Sequence, residues 1–216
     1  MPRVGVLALQ GDYARHQASM EALGVEVRPV KLPEDLGGLD ALVLPGGEST
    51  TMLTLIESHR LRPALEEFVH ERPVMGTCAG VILLGRDGAR LPSPPLGVLD
   101  VSVERNAYGR QIDSFSAEID APAVGGRYHA VFIRAPRLRQ IGAGVEVVAR
   151  RLVGSVAAGE PVGVRQGRIV GLCFHPELTS DLRFHRWFLA EVAGLSLPAR
   201  AEDPCAAPLP ASGARS

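Results

Sequence analysis

The chain has 216 residues, 46% hydrophobic and 22% charged, with a formal net charge of −1. That suits one α/β domain with a sizeable core, and it offers no basic footprint for nucleic acid or an anionic membrane. Three cysteines, an odd and sparse set, argue against a disulfide framework and for a reducing compartment, and no apolar run is long enough to span a membrane. Met1-Pro2-Arg3 leads straight into an apolar run with no room for a signal peptide, so the cytoplasm is the expected location. Lys31 is the only lysine and stands outside any Gly-x4-Gly-Lys pattern, which excludes a P-loop.

In chain order, Val4–Leu9 reads as an apolar strand ended by Gln10-Gly11. Asp12 is placed to cap a helix over Tyr13–Leu23, which Gly24 ends. Glu26–Val30 and Ala41–Leu44 read as the next strands, the second stopped by Pro45-Gly46-Gly47. Ser49 or Thr50 is placed to cap a following helix; Leu61–Glu71 is another, and Val74–Gly76 a fourth strand. Apolar strands alternating with helices predict a parallel sheet covered on both faces. Beyond Leu96 the texture changes. Val98–Val103, Phe115–Ile119, Ala130–Ile133, Val145–Ala149, Val162–Arg165 and Arg168–Phe174 read as strands in a partly antiparallel half. One helix closes the domain, with Phe184, Phe188, Val192 and Leu195 on one face and Trp187 beside it. Residues 1–195 are therefore read as the domain and 196–216, rich in Pro and Ala, as a disordered tail. Arg150-Arg151 reads as a solvated pair.

Cys78 lies in Gly76-Thr77-Cys78-Ala79-Gly80, between one apolar run and another. That is a thiol version of the nucleophile elbow, a sharp turn that projects its side chain at the head of a helix. His175-Pro176-Glu177 follows a strand near the other end of the chain. Residues two apart in extended chain share a side, so Glu177 can orient the His175 imidazole toward a thiol. A thiol, an imidazole and a carboxylate form the parts of an acyl-transfer site. Gly46-Gly47 can turn backbone N–H groups toward a ligand, as an oxyanion hole requires, although an ordinary capped turn would look the same. Cys173 reads as a small core residue and Cys205 as inert. His16, His59, His70, His129 and His185 show no metal-ligand spacing, so neither metal nor cofactor is expected.

These pieces together resemble the class I triad glutamine amidotransferases. The segments Gly5–Gly11, Leu44–Met52, Val103-Glu104-Arg105-Asn106 with Gly109-Arg110-Gln111 and Asp113-Ser114-Phe115, Phe132-Ile133-Arg134-Ala135-Pro136 and Phe174–Thr179 narrow the likeness to the glutaminase-subunit family of pyridoxal 5′-phosphate synthase. The resemblance implies a three-layer, flavodoxin-like α/β fold with a mixed central sheet, and hydrolysis of L-glutamine to glutamate and ammonia. It implies Cys78 as nucleophile with His175 and Glu177, an oxyanion hole at Gly46, Gly47 and Ala79, and glutamine contacts at Gly47, Glu48, Ser49, Arg105, Ile133 and Arg134. It also implies a (β/α)8-barrel synthase partner, twelve copies of each subunit in the assembly, and no nucleic acid or membrane. Gln10 and Gly11, beside the sheet edge where such sites form, are candidates for coupling to that partner. The alternatives are another triad amidotransferase such as the histidine-pathway glutaminase subunit, a cysteine hydrolase of a flavodoxin-like chaperone or protease family, which lacks His-Pro-Glu at this position, and a catalytically silent docking subunit.

Overall fold

In the computed structural model the described residues are 1–87, 91–105, 107, 114–152 and 159–198. The first half runs β1 (Arg3–Leu7), α1 (Tyr13–Glu21), β2 (Glu26–Val30), β3 (Ala41–Leu44), α2 (Ser49–Ser58), α3 (Arg62–Glu71), β4 (Val74–Thr77) and α4 (Ala79–Leu84). The second half runs β5 (Gly85–Asp87), β6 (Leu99–Glu104), β7 (Ser114–Ala121), β8 (Gly126–Ile133), β9 (Arg137–Ile141), β10 (Glu146–Arg151), β11 (Glu160–Gln166), β12 (Ile169–Leu172) and α5 (Arg183–Trp187).

Among the described residues, nine strands form one sheet in the order β2-β1-β3-β4-β12-β11-β10-β7-β8. The run from β2 to β12 is parallel, and the run from β12 to β8 is antiparallel. Burial explains the change in sequence texture. Every residue of β3, β4 and β12 is buried, so these strands must be apolar or small throughout. In β8 the buried Tyr128, Ala130 and Phe132 alternate with exposed or half-buried neighbours, as one solvated face requires. Right-handed crossovers place α1 on one face and the α2–α3 pair on the other, because β1 to β2 and β3 to β4 step in opposite directions along the sheet. The result is a three-layer α/β domain with a mixed central sheet. The reversal between β1 and β3 is the place where a ligand crevice opens at the carboxyl ends of the strands.

Two strands escape the sequence reading. β5 and β9 join β6 in a small second sheet. β9 reads Arg-Leu-Arg-Gln-Ile and buries only Leu138, so it lacks an apolar signal. β5 is three residues long and is tied down by Arg86, which reaches Asp100, Ser102 and Gln140. The closing helix also differs from expectation. It is α-helical over Arg183–Trp187 and widens to a π turn over Phe188–Val192, with Ala193 N–H bonding Phe188 O at 2.8 Å. The wider turn lets the consecutive Phe188 and Leu189 both be fully buried.

Other local expectations are corrected. Asp12 occupies the N-cap position of α1 but makes no side-chain cap hydrogen bond. Glu48, rather than Ser49 or Thr50, caps α2, its carboxylate accepting from Thr51 N–H at 2.7 Å. Arg150-Arg151 is no solvated pair. Arg151 bonds Glu160 at 2.5 Å and lies 5.3 Å over the Phe115 ring, and Arg150 reaches Gly159 O. Cys173 is a fully buried core residue as read. Of the expected tail, Leu197 packs on the core and a Cβ on Gly24 would stand 2.5 Å from Pro198. Residues 199–216, with Cys205, lie outside the described residues, as do Asn106 and Gly109–Asp113.

Candidate active site

Four neighbouring parallel strands deliver the site from their carboxyl ends. β1 leads to Gln10-Gly11, β3 to Gly46-Gly47, β4 to Cys78 and β12 to His175. Parallel register pairs Thr77 with Leu172, and Cys78 N–H bonds Leu172 O at 2.8 Å. The thiol and imidazole strands therefore leave the sheet at the same level.

Cys78 turns the chain from β4 into α4 with φ 47° and ψ −103°, a region that costs a non-glycine residue about 1–3 kcal/mol. The cost is met by packing. Val81, Ile82, Leu83 and Leu84 of the ensuing helix are all buried, each worth about 1.5–3 kcal/mol. Gly80 makes the close approach feasible, since a Cβ there would stand 2.1 Å from Leu44 O. The Cys78 thiol is itself mostly buried and points to Ile133 O at 3.6 Å.

His175 Nδ1 lies 2.7 Å from Glu177 Oε1, and both side chains are buried. The sequence reading placed this pair in extended chain. In fact Pro176–Leu178 forms a short 3-10 turn, and the turn brings the carboxylate back beneath the ring. The opposite nitrogen, His175 Nε2, is buried and makes no hydrogen bond among the described residues, and Cys78 is among the groups that act on the ring. Burial alone would make His175 harder to protonate; Cys78 and Glu177 outweigh it and push its pKa up to about 10. Burial would raise Glu177, yet His16 and His175 hold it well below the usual carboxylate range.

The thiol and imidazole open onto a cleft of about 680 Å³, lined also by Gln10, Gly47, Ser49, Arg105, Ile133 and Arg134. Ala79 begins α4 beside Cys78, where a helix N–H has no intrahelical acceptor. Glu48 and Arg105 meet at the cleft rim, Arg105 Nη2 lying 3.3 Å from Glu48 Oε1 and 3.0 Å from Thr50 Oγ1. Burial would raise the Glu48 pKa, but hydrogen bonds from Thr51 and Thr50 lower it. Gln10 Oε1 accepts from Glu48 N–H at 2.8 Å, and a Cβ on Gly11 would stand 1.9 Å from Gly46 O. The Gln10-Gly11 turn thus clamps the Gly46–Glu48 loop. A second cleft, about 850 Å³ and lined by Asp40, Glu71 and Arg168, sits at the amino ends of the strands, and among the described residues no cysteine, serine or threonine lines it.

The structure brings the residues read as site candidates to this one cleft or its rim, except Glu177, which lies buried behind His175. It adds three that the sequence reading missed. Asp12 offers a carboxylate oxygen within 4.8 Å of ligand atoms of His175 and Glu177, but Nδ1 and Oε1 of that pair already face each other at 2.7 Å, which leaves a metal a poor donor set. His16 and His185 are fully buried behind Glu177. The sequence reading tested them only for metal spacing. The available signal was a histidine on the inward stripe of α1, where an apolar residue would be routine.

Residues 6–194 match the SNO glutamine amidotransferase family. A Thermotoga neapolitana protein named pyridoxal 5′-phosphate synthase subunit PdxT is 48% identical over 192 residues, covering 88% of this chain and 99% of that protein. A protein of the same name from Thermus thermophilus is 49% identical over 195 residues, covering 89% and 98%. A crystal structure of a glutamine amidotransferase superposes with a TM-score of 0.80 at 46% identity, covering 89% of this chain and 99% of that one. PurLQS from Thermotoga maritima, at 18% identity and a TM-score of 0.64 over 88% of this chain and 98% of that one, shares the fold. A match across nearly the whole domain, at close to half identity, means that this chain belongs to the SNO glutamine amidotransferase family.

Proposed function

We propose that the chain is a glutaminase subunit that hydrolyses L-glutamine to L-glutamate and ammonia and hands the ammonia to a synthase subunit making pyridoxal 5′-phosphate. The observation that carries this reading is the buried His175–Glu177 pair at 2.7 Å beside the elbow thiol of Cys78, in a chain nearly half identical to proteins named as that synthase's subunit.

In the proposed mechanism the Cys78 sulfur attacks the side-chain carbonyl carbon of glutamine. The carbonyl oxygen takes up the negative charge, and N–H groups of Gly47 and Ala79, with the turn at Gly46, stabilise it; one such donor is worth roughly 10²–10³ in rate. His175 gives its proton to the departing nitrogen, ammonia leaves, and a γ-glutamyl thioester remains. His175 then takes a proton from water, the resulting hydroxide attacks the thioester, and the thiolate departs. Glu177 stays on the Nδ1–H side, so that Nε2 is the nitrogen that gives and takes the proton. Glu48 is proposed to receive the α-ammonium of glutamine, and Arg105 or Arg134 its α-carboxylate. Ser49 and Ile133 are proposed to shape the pocket between them.

Free ammonia is largely protonated at neutral pH and no longer nucleophilic, so a glutaminase serving synthesis works best when docked. The proposed partner is a (β/α)8-barrel synthase subunit, twelve copies of each in the complete assembly, in the cytoplasm. Gln10 and Gly11 hold the oxyanion loop and are the proposed route by which docking reaches the site. Among the described residues, no helix is long and apolar enough to cross a membrane.

The test is ammonia release from L-glutamine with and without the cognate synthase subunit. Strong activity in the mixture alone supports the whole proposal. Equal activity in both removes the coupling, and none in either removes the glutaminase assignment in favour of a docking role.

A further inference from the structure

Behind the triad lies a layer of buried polar groups that the mechanism above leaves unused. His16 from α1 and His185 from α5 are both 0% exposed, as is Thr77 at the end of β4. His16 Nδ1 stands 3.0 Å from His185 Nε2. His16 Nε2 stands 3.1 Å from Thr77 Oγ1 and 3.2 Å from Glu177 Oε2. Among the described residues Glu177 Oε2 makes no hydrogen bond of its own, and His16 Nε2 at 3.2 Å is the polar nitrogen beside it, while Oε1 lies on His175. Apolar residues would fill this space with far less desolvation, which makes the cluster costly unless it does something.

The donor and acceptor count favours one arrangement over its reverse. An ionised Glu177 can only accept, so the proton of His16 belongs on Nε2. Neutral His16 then has a bare Nδ1, which takes the Nε2–H of His185. His185 Nδ1, buried and without a partner among the described residues, is then a lone pair and not a stranded N–H. The opposite arrangement would bury an unbonded donor. Burial above all pushes the His185 pKa down to about 3, in keeping with a neutral ring.

We propose that His16 is the positioning residue of the triad: its Nε2–H, oriented by His185, holds Glu177 Oε2 so that Oε1 stays on His175 and the His175 ring stays aimed at Cys78. This rests on the glutaminase reading above. The groups that face His16 are His185 from α5, Thr77 from β4 and Glu177 from the 3-10 turn. His175, Cys78 and Asp12 lie one contact further out.

Two measurements test it. The first is glutamine hydrolysis with the synthase subunit present, comparing the unaltered chain with His16→Leu and His16→Gln across pH. His16→Leu is expected to lower kcat at least tenfold, to leave KM for glutamine within about twofold, and to move the acid limb of the kcat profile toward neutrality. His16→Gln, which presents an N–H at similar reach, is expected to recover most of the rate. The second is nitrogen-15 NMR of the histidines in the unaltered protein, expected to show both His16 and His185 protonated on Nε2. A folded His16→Leu with unchanged kcat and pH profile overturns the proposal, and so does a native His16 protonated on Nδ1 alone. If His16→Leu does not fold, the tautomers decide. If the unaltered chain with its synthase releases no ammonia, the glutaminase reading falls, and the tautomers still decide whether His16 holds Glu177.

Discussion

Gly46 and His175 are packed with no room for a methyl group between them: a Cβ on Gly46 would stand 2.3 Å from His175 Cε1 and 3.3 Å from Cys78 Cβ. Gly46→Ala must therefore move the imidazole or the loop, and displacing a reacting group by even an ångström costs about 10² in rate. We expect kcat for glutamine hydrolysis to fall at least a hundredfold while circular dichroism stays native. Retained activity would mean that the loop yields and the ring does not depend on it.

Cys78 holds a φ of 47° that only packing enforces. Cys78→Ala and Cys78→Gly should both abolish ammonia release, since each lacks the sulfur. They should differ in stability. Glycine relieves about 1–3 kcal/mol of backbone strain and gives back roughly 0.5–1 kcal/mol in unfolded-chain entropy. Urea unfolding is expected to show the glycine variant more stable than the alanine variant by about 1 kcal/mol.

Glu177→Gln keeps the size of the side chain but removes the charge that faces His175 and His16. Loss of an orienting carboxylate in a triad costs up to about 10⁴ in kcat, so a fall of 10²–10⁴ is expected with KM little changed. Steady-state kinetics with the synthase subunit present read this directly.

Arg105 and Glu48 pair at the cleft rim, where Glu48 is 52% exposed and Arg105 22%. An exposed pair of this kind adds at most about 1 kcal/mol to stability. Arg105→Ala should leave the unfolding midpoint nearly unchanged and raise KM for glutamine about tenfold or more, as the loss of a charge-assisted hydrogen bond predicts. An unchanged KM would remove Arg105 from the glutamine site.

His185 makes the fold acid-sensitive. Unfolded, it takes a proton below about pH 6.5; folded, it resists protonation down to about 3. Its contribution is thus present above 6.5 and lost as pH falls toward 3. Glu177, also depressed, acts in the same direction at lower pH. Between pH 7 and 5 the His185 share amounts to about 2 kcal/mol. His175, held up at about 10, acts in the opposite direction over the same window, so the His185 share is read as the difference between the unaltered chain and His185→Gln: urea unfolding should show the unaltered chain losing about 2 kcal/mol more between pH 7 and 5 than the variant does.

The proposed triad was legible in the sequence because its signals are local. Glycines two residues either side of Cys78 and an apolar run on each flank mark a strand-to-helix elbow, and His175 and Glu177 sit two residues apart. The parallel half was legible for the same reason, since strands buried on both faces must be apolar throughout. β9 was not, because a small partner sheet holds it and hydrophobicity does not. What only the tertiary structure decided is which distant groups meet. His16 finds Thr77 61 residues on and His185 169 residues on, and Arg151 finds Glu160 and Phe115. Those meetings depend on strand order and on the rotation of each helix against the sheet. A local sequence pattern says that a side chain turns inward; it does not say whose side chain it will meet there.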